Sequence, residues 1–559
     1  MQCSTADPEP TSIPIQPTPT PTPTPTSTPG PTATPFATPT AVPSPTVAPP
    51  PENLERGGVL NFAVPEGPPH MDPHLTVSSG LLSWGAGQAY SRLFKFEVDA
   101  DSQNTTVVCD LCSSWRQSDP LTFSIQIRTD VQWHNFPPLN GRPLTAQDVV
   151  FSLKRQASAN YPNAALLSNI AEFTALGDHE VVIRLKSPDS ETLEKLADSH
   201  SRIVAPEAVE VNGDLRRGPT VGTGPWMVSE AAGDVTRLIV NPDYYNDDLP
   251  YLDGLDIQVI PSVATRAAGM RTKVIDLAQV NFDDVASARE RFEEIDWIGI
   301  ENPAAGVEIM MNTTRSPMDK QAVRTAMMFT WDAGDAIPMI PGGGEMFERG
   351  NSLYGVSLGL PIINSDWLLS SSYYPPRFNK TSLANSSLVS AELKSTDNII
   401  IKVGEYGQQY IDQANAMAEG LASVGIRAEV ERISTRKFGD EVWIGGDYDI
   451  AVGSPPPISS TTGYLFSVHH SDGPWNTTVY SDPELDRLIE AQAQEYDSAK
   501  RGQLLLEIQH RILTGSHRFI TSTRTTYWMF WDYVNEFNPF TPRGDTDFLT
   551  RVWMSSRES

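Results

Sequence analysis

Few residues in this sequence are spaced for bond-making chemistry. Cys109 and Cys112 form a lone C-x-x-C in Val107-Val-Cys-Asp-Leu-Cys-Ser-Ser-Trp115. Without a second pair, a structural zinc site is disfavoured, and the flanking pattern lacks the thioredoxin-like context that a redox motif needs. Two readings stay open for the pair: a local disulfide closing a very short loop, or two small core thiols. His469-His470 with Asp472 offers metal-ligand types, but adjacent residues rarely converge on one ion, so a solvated loop is favoured and no metal is assigned. Gly342-Gly-Gly344 is not followed by the Lys-Ser/Thr that phosphate binding requires, and Asp247-Asp248 and Asp283-Asp284 read as exposed turns. G-x-S-x-G, H-E-x-x-H and dinucleotide fingerprints are missing from the sequence. No catalytic residue and no cofactor is assigned, and binding is a better expectation than catalysis.

Composition narrows the binding partners. The 559 residues carry 41 Lys plus Arg against 69 Asp plus Glu, a net charge of −28. Such a surface repels phosphate backbones and anionic lipid, so nucleic acid and direct membrane contact are not expected. No apolar run approaches the roughly 18 residues of a membrane span. With 39% apolar and 9% aromatic residues, the bulk of the chain has an ordinary globular composition.

The elements that would position a site follow from periodicity. Gly57-Gly58 is a turn opening an apolar strand to Val64; Phe123, Ile125 and Ile127 alternate, as do Val181, Ile183 and Leu185. Thr145-Ala-Gln-Asp148 is a capping box, and Asp482-Pro483-Glu484 places an N-cap, an N1 proline and a dipole-favoured acid at a second helix start. Ile399 to Val403, a helix ending at Gly425, and short strands Arg427 to Val430 and Tyr448 to Val452 predict a right-handed βαβ unit with a parallel sheet.

Ahead of this body, Pro8 to Pro51 holds 17 of the 47 prolines, interleaved with Thr. That composition cannot bury enough surface to fold and favours an extended spacer. Residues 1–56 are therefore a disordered tether. The start Met1-Gln-Cys3-Ser-Thr, followed by a polar spacer, resembles the mature start of a bacterial lipoprotein, which implies lipidation at Cys3; an incidental thiol is the alternative.

Read in order, the body resembles the family 5 extracellular solute-binding proteins of ABC transporters, the peptide, dipeptide and nickel-binding group. The resemblance is carried by Gly57-Gly58-Val59-Leu60, Met71-Asp72-Pro73-His74, Tyr90-Ser-Arg-Leu-Phe94, Leu111-Cys-Ser-Ser-Trp115 and Phe123-Ser-Ile-Gln-Ile-Arg128 with Val131-Gln-Trp-His134. It continues in Leu144-Thr-Ala-Gln-Asp-Val-Val-Phe151, Gly222-Thr-Gly-Pro-Trp226, Asn241-Pro-Asp-Tyr-Tyr245, Tyr251-Leu-Asp253, Val323-Arg-Thr-Ala326 and Tyr480-Ser-Asp-Pro-Glu-Leu-Asp-Arg-Leu488. Each is weak alone; their order across 57 to 559 is not.

The resemblance implies an α/β fold of the periplasmic binding protein type II kind, two lobes with an inserted extra domain. By position, domain I is 57–93, 219–305 and 525–559, domain II is 94–218, and domain III is 306–524, with bending segments near Ala304–Gly306 and Ser522–Arg524. It implies a monomeric, extracytoplasmic receptor at the periplasm or outer face of the membrane. That receptor would be held by a lipid anchor, capture a small-molecule or peptide ligand by lobe closure, and deliver it to ABC importer permease subunits. A non-transport signalling receptor on the same fold and a stalk-anchored exported hydrolase are the alternatives.

The same resemblance proposes ligand-binding residues. Ser78, Ser79 and Gly80 occupy the segment that pairs with an extended ligand in peptide binders. Along Val307-Glu-Ile-Met-Met-Asn312, alternate residues share a face, so Glu308, Met310 and Asn312 either line the cleft or are buried in the second lobe. Gly453 and Ser454 lie at the carboxyl end of a strand, where open α/β sheets bind ligands, and Trp475 supplies an apolar wall or core packing. Where peptide-binding members place an Asp for the ligand's amino group, this chain has Gly453-Ser-Pro-Pro-Pro457, with Asp449 inside the strand before it. That departure favours a solute without a buried ammonium.

Overall fold

Alternating apolar side chains form the strands that the periodicity predicts. In the computed structural model, which describes residues 50–76, 78–98, 105–330, 384–385, 387–388, 398–454, 460–539 and 546–556, Phe123, Ile125, Ile127, Val181, Ile183 and Leu185 are all buried. Cys3 with most of the tether, Gly342–Gly344 and Pro455–Pro457 lie outside the described residues.

The strands, in chain order, are β1 (Val59–Val64), β2 (Phe94–Val98), β3 (Thr105–Cys109), β4 (Cys112–Asp119), β5 (Thr122–Ile127), β6 (Ile170–Ala175), β7 (Glu180–Leu185) and β8 (Trp226–Ala232). They continue as β9 (Val235–Val240), β10 (Gly254–Val259), β11 (Leu277–Val280), β12 (Ile295–Met311), β13 (Asn398–Gly404), β14 (Arg427–Ile433), β15 (Ile450–Gly453) and β16 (Arg518–Trp531). Ten form one mixed sheet in the order β14-β13-β15-β12-β16-β11-β1-β10-β9-β8, and β4-β5-β7-β6 form a smaller antiparallel sheet.

The long antiparallel pair β12 and β16 runs through both halves of the large sheet. Its outer stretch, Ile295 to Asn302 against Trp531 to Arg524, lies beside β11; its inner stretch, Val307 to Met310 against Ser522 to Arg518, lies beside β15. Between the stretches the register shifts twice, from Asn302 to Val307 and from Val307 to Glu308. A register slip interrupts the ladder where the two halves meet, which is where a sheet bends most easily.

Packing follows this division. One core gathers Phe62, Trp226, Leu277, Trp528 and Trp531 around β1, β11 and β16; a second gathers Val307, Ile309, Met327, Ile401, Met417 and Val452. A third gathers Leu93, Ile125, Trp133, Val149 and Ile183 around the small sheet. The predicted βαβ unit is present: β13 and β14 are parallel neighbours joined by the helix Gln408–Ser423.

Local signals have structural roles. In the helix Ala146–Gln156 the capping box between Thr145 and Asp148 forms, and Arg142 adds two 2.8 Å hydrogen bonds to the same carboxylate. Asp482 caps the helix Pro483–Gln494 by accepting from the backbone N–H groups of Glu484 and Leu485. Cys109 and Cys112 are joined as a disulfide, which resolves the two readings of the C-x-x-C.

Candidate functional site

β12 enters the far half with every side chain from Val307 to Met311 buried, because both of its faces are covered. Val307, Ile309 and Met311 pack toward the helices Gln321–Thr330 and Gln408–Ser423. Met310, on the opposite face, packs with Phe438, Val442 and Tyr448. Alternation therefore places Glu308 and Met310 on one face as predicted, and burial gives Met310 a packing role in this conformation. Asn312, also buried, donates from Nδ2 to the Gly446 carbonyl at 2.8 Å and accepts from the Thr314 N–H and hydroxyl.

Glu308 meets Arg518 of β16, its Oε1 3.4 Å from Nε, with both side chains buried. Neither carboxylate oxygen has a hydrogen-bond partner, nor do Arg518 Nε and Nη1. Burial pushes the Glu308 carboxyl above its usual range, and the Arg518 charge only partly opposes this. Arg518 Nη2 donates to Thr477 Oγ1 at 2.6 Å and lies 3.5 Å from the Trp475 carbonyl and 3.3 Å from Met310 Sδ. One guanidinium thus gathers Glu308, Met310 and Trp475.

Across β15, Gly453 pairs with Glu308, and a Cβ at Gly453 would fall 2.5 Å from the Phe438 ring. Only glycine lets that ring approach the strand end. Trp475 meets Trp443 edge to face at 5.5 Å, Trp443 meets Phe438 at 5.8 Å, and the neighbouring Ile444 is 82% exposed. An aromatic wall therefore flanks Gly453 and the half-buried Ser454. Asp449 is already engaged: its carboxylate is 3.1 Å from Arg315 Nε and accepts the Ile400 N–H at 3.0 Å.

Ser78, Ser79 and Gly80 follow β1 on the other half of the sheet. Their loop is fixed by a buried cluster in which Arg155 pairs with Asp72 and donates to His74 Nδ1 at 2.9 Å, while His74 Nε2 donates to the Arg202 carbonyl at 2.8 Å. Asp72 also accepts from the Leu215 N–H, and Arg155 holds its carboxyl below the usual range against the opposing effect of burial. The Ser78 carbonyl accepts from the Leu81 and Leu82 N–H groups, opening the short helix Ser79–Leu82. Beyond it, Gly222 lies so close to the Ala89 carbonyl that a Cβ would sit 1.8 Å from its oxygen. His134 braces this approach, accepting the Gly222 N–H at 3.2 Å and donating from Nε2 to the Gly224 carbonyl at 3.0 Å.

His469 and His470 diverge. The first turns inward to Tyr464 and His517, the second toward Glu490 at 3.4 Å. Among the described residues no group of three His, Cys, Asp or Glu is arranged to hold a metal ion, and no helix is long and apolar enough to cross a membrane. Arg518, Thr477 and Trp443 were not singled out in the sequence. The available signal was an arginine opening an otherwise apolar strand, opposite a glutamate with the same peculiarity.

This arrangement offers apolar walls, glycine-bared strand ends and a neutralised charge pair, with no aligned nucleophile and base. The sequence model for bacterial extracellular solute-binding proteins, family 5 (Middle), matches residues 106–477. The chain is 24% identical over 449 residues to the probable D,D-dipeptide-binding periplasmic protein DdpA of Escherichia coli, covering 78% of this chain and 82% of that protein. In structure it is similar to HbpA2 from Haemophilus parasuis, with a TM-score of 0.75 at 21% identity, covering 89% of this chain and all of the other. It is also similar to the periplasmic binding protein DppA from Helicobacter pylori, solved with the peptide STSA, with a TM-score of 0.65 at 21% identity over 90% and 99% of the two chains.

Proposed function

The chain belongs to the bacterial extracellular solute-binding proteins of family 5, and from that premise we propose that it captures a peptide-class or other polar solute between two lobes and presents it to the permease of an ABC importer. The observation that carries the reading is the β12–β16 pair, two strands shared by both halves of the sheet and slipped in register where the halves meet. Bending there moves one half against the other, and a solute that contacts both walls favours the closed form by its differential affinity. Domain I (57–93, 219–305, 525–559) with domain II (94–218) forms one lobe and domain III (306–524) the other. Ser78 to Gly80 face the aromatic wall and strand ends of the second lobe in this reading. Function is binding, with no bond-making step. The receptor works outside the cytoplasm as a monomer, held by a lipid on Cys3 at the end of its tether.

The solute is neutral or of mixed polarity and does not rely on a carboxylate to hold an ammonium. Asp449 is engaged by Arg315 and a backbone N–H, and Glu308 is already matched by Arg518. An ammonium buried without a countercharge costs several kcal/mol. Native mass spectrometry of the purified protein identifies a retained solute, and thermal-shift assays compare free-amino peptides with their N-acetylated forms. Equal stabilisation by both forms is expected, about 2.7 kcal/mol at a hundredfold excess over Kd. Strong stabilisation that acetylation abolishes would overturn the ligand class.

A further inference from the structure

A second polar cluster joins parts of the chain that the reading above assigns to opposite lobes. Glu191, fully buried, accepts at Oε1 from Arg501 Nη2 at 2.6 Å and from the Thr462 N–H at 2.9 Å. Arg501 also donates from Nε to Gln492 Oε1 at 3.2 Å and from Nη2 to Thr462 Oγ1 at 3.3 Å, and Gln492 Nε2 donates to Thr462 Oγ1 at 3.1 Å. Backbone groups join in: the Ser190 N–H donates to the Ala493 carbonyl at 2.8 Å, and Tyr496 accepts the Asp189 N–H at 3.0 Å while donating to the Pro120 carbonyl at 2.9 Å. Beside the cluster a cavity of about 520 Å³ takes one wall from Asn163, Ser187 and Lys195 and the other from Phe466, Glu490 and Gln494.

These contacts cross about 300 residues of sequence and tie the small-sheet body to the far half of the large sheet, away from the covalent crossing at β12 and β16. Their chemistry is polar throughout. Separation would return Glu191, Arg501 and the freed backbone groups to water, so making and breaking the contact nearly balance in energy, whereas an apolar seam of the same extent would resist reopening. Losing one partner is different: the closed form then holds an uncompensated buried charge, which favours the open form.

We infer that the Glu191–Arg501–Thr462–Tyr496 cluster is an interlobe latch, made on closure and broken on opening, that sets how much of the ligand-free protein is closed. The inference rests on the solute-capture reading. Its test uses the full chain carrying Cys3→Ser, with Leu176→Cys and Val479→Cys, exposed at 53% and 50%, as spin-label sites on the two sides. Distances are measured by double electron–electron resonance without added solute. Arg501→Met and Glu191→Gln should each raise the population at long distance relative to the parent by about tenfold or more, with the double variant no more open than Arg501→Met. Tyr496→Phe, a substitution that keeps the ring, should shift the distances in the same direction by less. Distance distributions that superimpose for all variants and the parent would overturn the latch. Solute retention by the parent, read separately by mass spectrometry, reports on solute capture whether or not the distances move, so the two ideas fail independently.

Discussion

Acid should loosen this protein through two buried neutral histidines, and the size of the effect follows from their contacts. His134 accepts an N–H at Nδ1 and donates from Nε2 to a carbonyl; His74 does the same between Arg155 and the Arg202 carbonyl. A second ring proton has no acceptor at either site. Burial lowers both pKa values from 6.5 to about 4, aided at His74 by the Arg155 charge. The folded pKa lies below the unfolded one, so the unfolded chain binds more protons between them. The stability contributed by the neutral rings is therefore complete above about pH 6.5 and is lost as pH falls toward 4. At pH 5 each ring costs about 2 kcal/mol, and near mid-window each adds about 1.2 kcal/mol per pH unit to the slope of unfolding free energy. The assay is urea denaturation at several pH values from 7.5 to 4.5, on the parent and on His134→Gln, whose amide can accept and donate as the ring does but does not titrate. The variant should be less stable at pH 7 yet show a shallower slope by about 1.2 kcal/mol per pH unit. An unchanged slope would refute the argument, because His134 would then not differ in proton uptake between the folded and unfolded states.

Two further expectations come from the packing. Arg518→Met should lower unfolding free energy by about 3–5 kcal/mol in urea titrations, since it leaves Glu308 buried without its countercharge; the further substitution Glu308→Gln should recover part of the loss. Replacing both Cys109 and Cys112 by Ser should cost no more than about 2 kcal/mol, because the disulfide closes a loop of four residues, and calorimetry without reductant checks this.

Local features were legible in the sequence where one element decides them. The Thr145–Asp148 and Asp482 caps, the alternation in β5 and β7 and the β13–helix–β14 unit each depend on residues within about 35 positions, and the structure has them as predicted. The site was less legible for a physical reason. Alternation put Glu308 and Met310 on one face but could not say what covers that face, and Phe438 and Tyr448 bury Met310. Arg518, the group that gathers the cluster, lies about 210 residues after Glu308, and no periodicity connects them. Asp449 had looked a doubtful ligand acid from its place in a strand; its pairing with Arg315 gives the cause.

The sheet order has a consequence for how the chain is made. β16, Arg518–Trp531, is the partner of both β11 and β12, so it completes each half of the large sheet. A polypeptide emerging from its N-terminus carries β11 and β12 with unpaired edges until more than nine-tenths of its length has been synthesised. Helices and the small β4-β5-β7-β6 sheet can form early, but long-range pairing makes the final step slow. During that interval the nascent chain exposes aggregation-prone strands that a holdase chaperone can cover. A ribosome stalled before Arg518 would release a product with neither half of its central sheet closed, which proteases would distinguish readily from the finished protein.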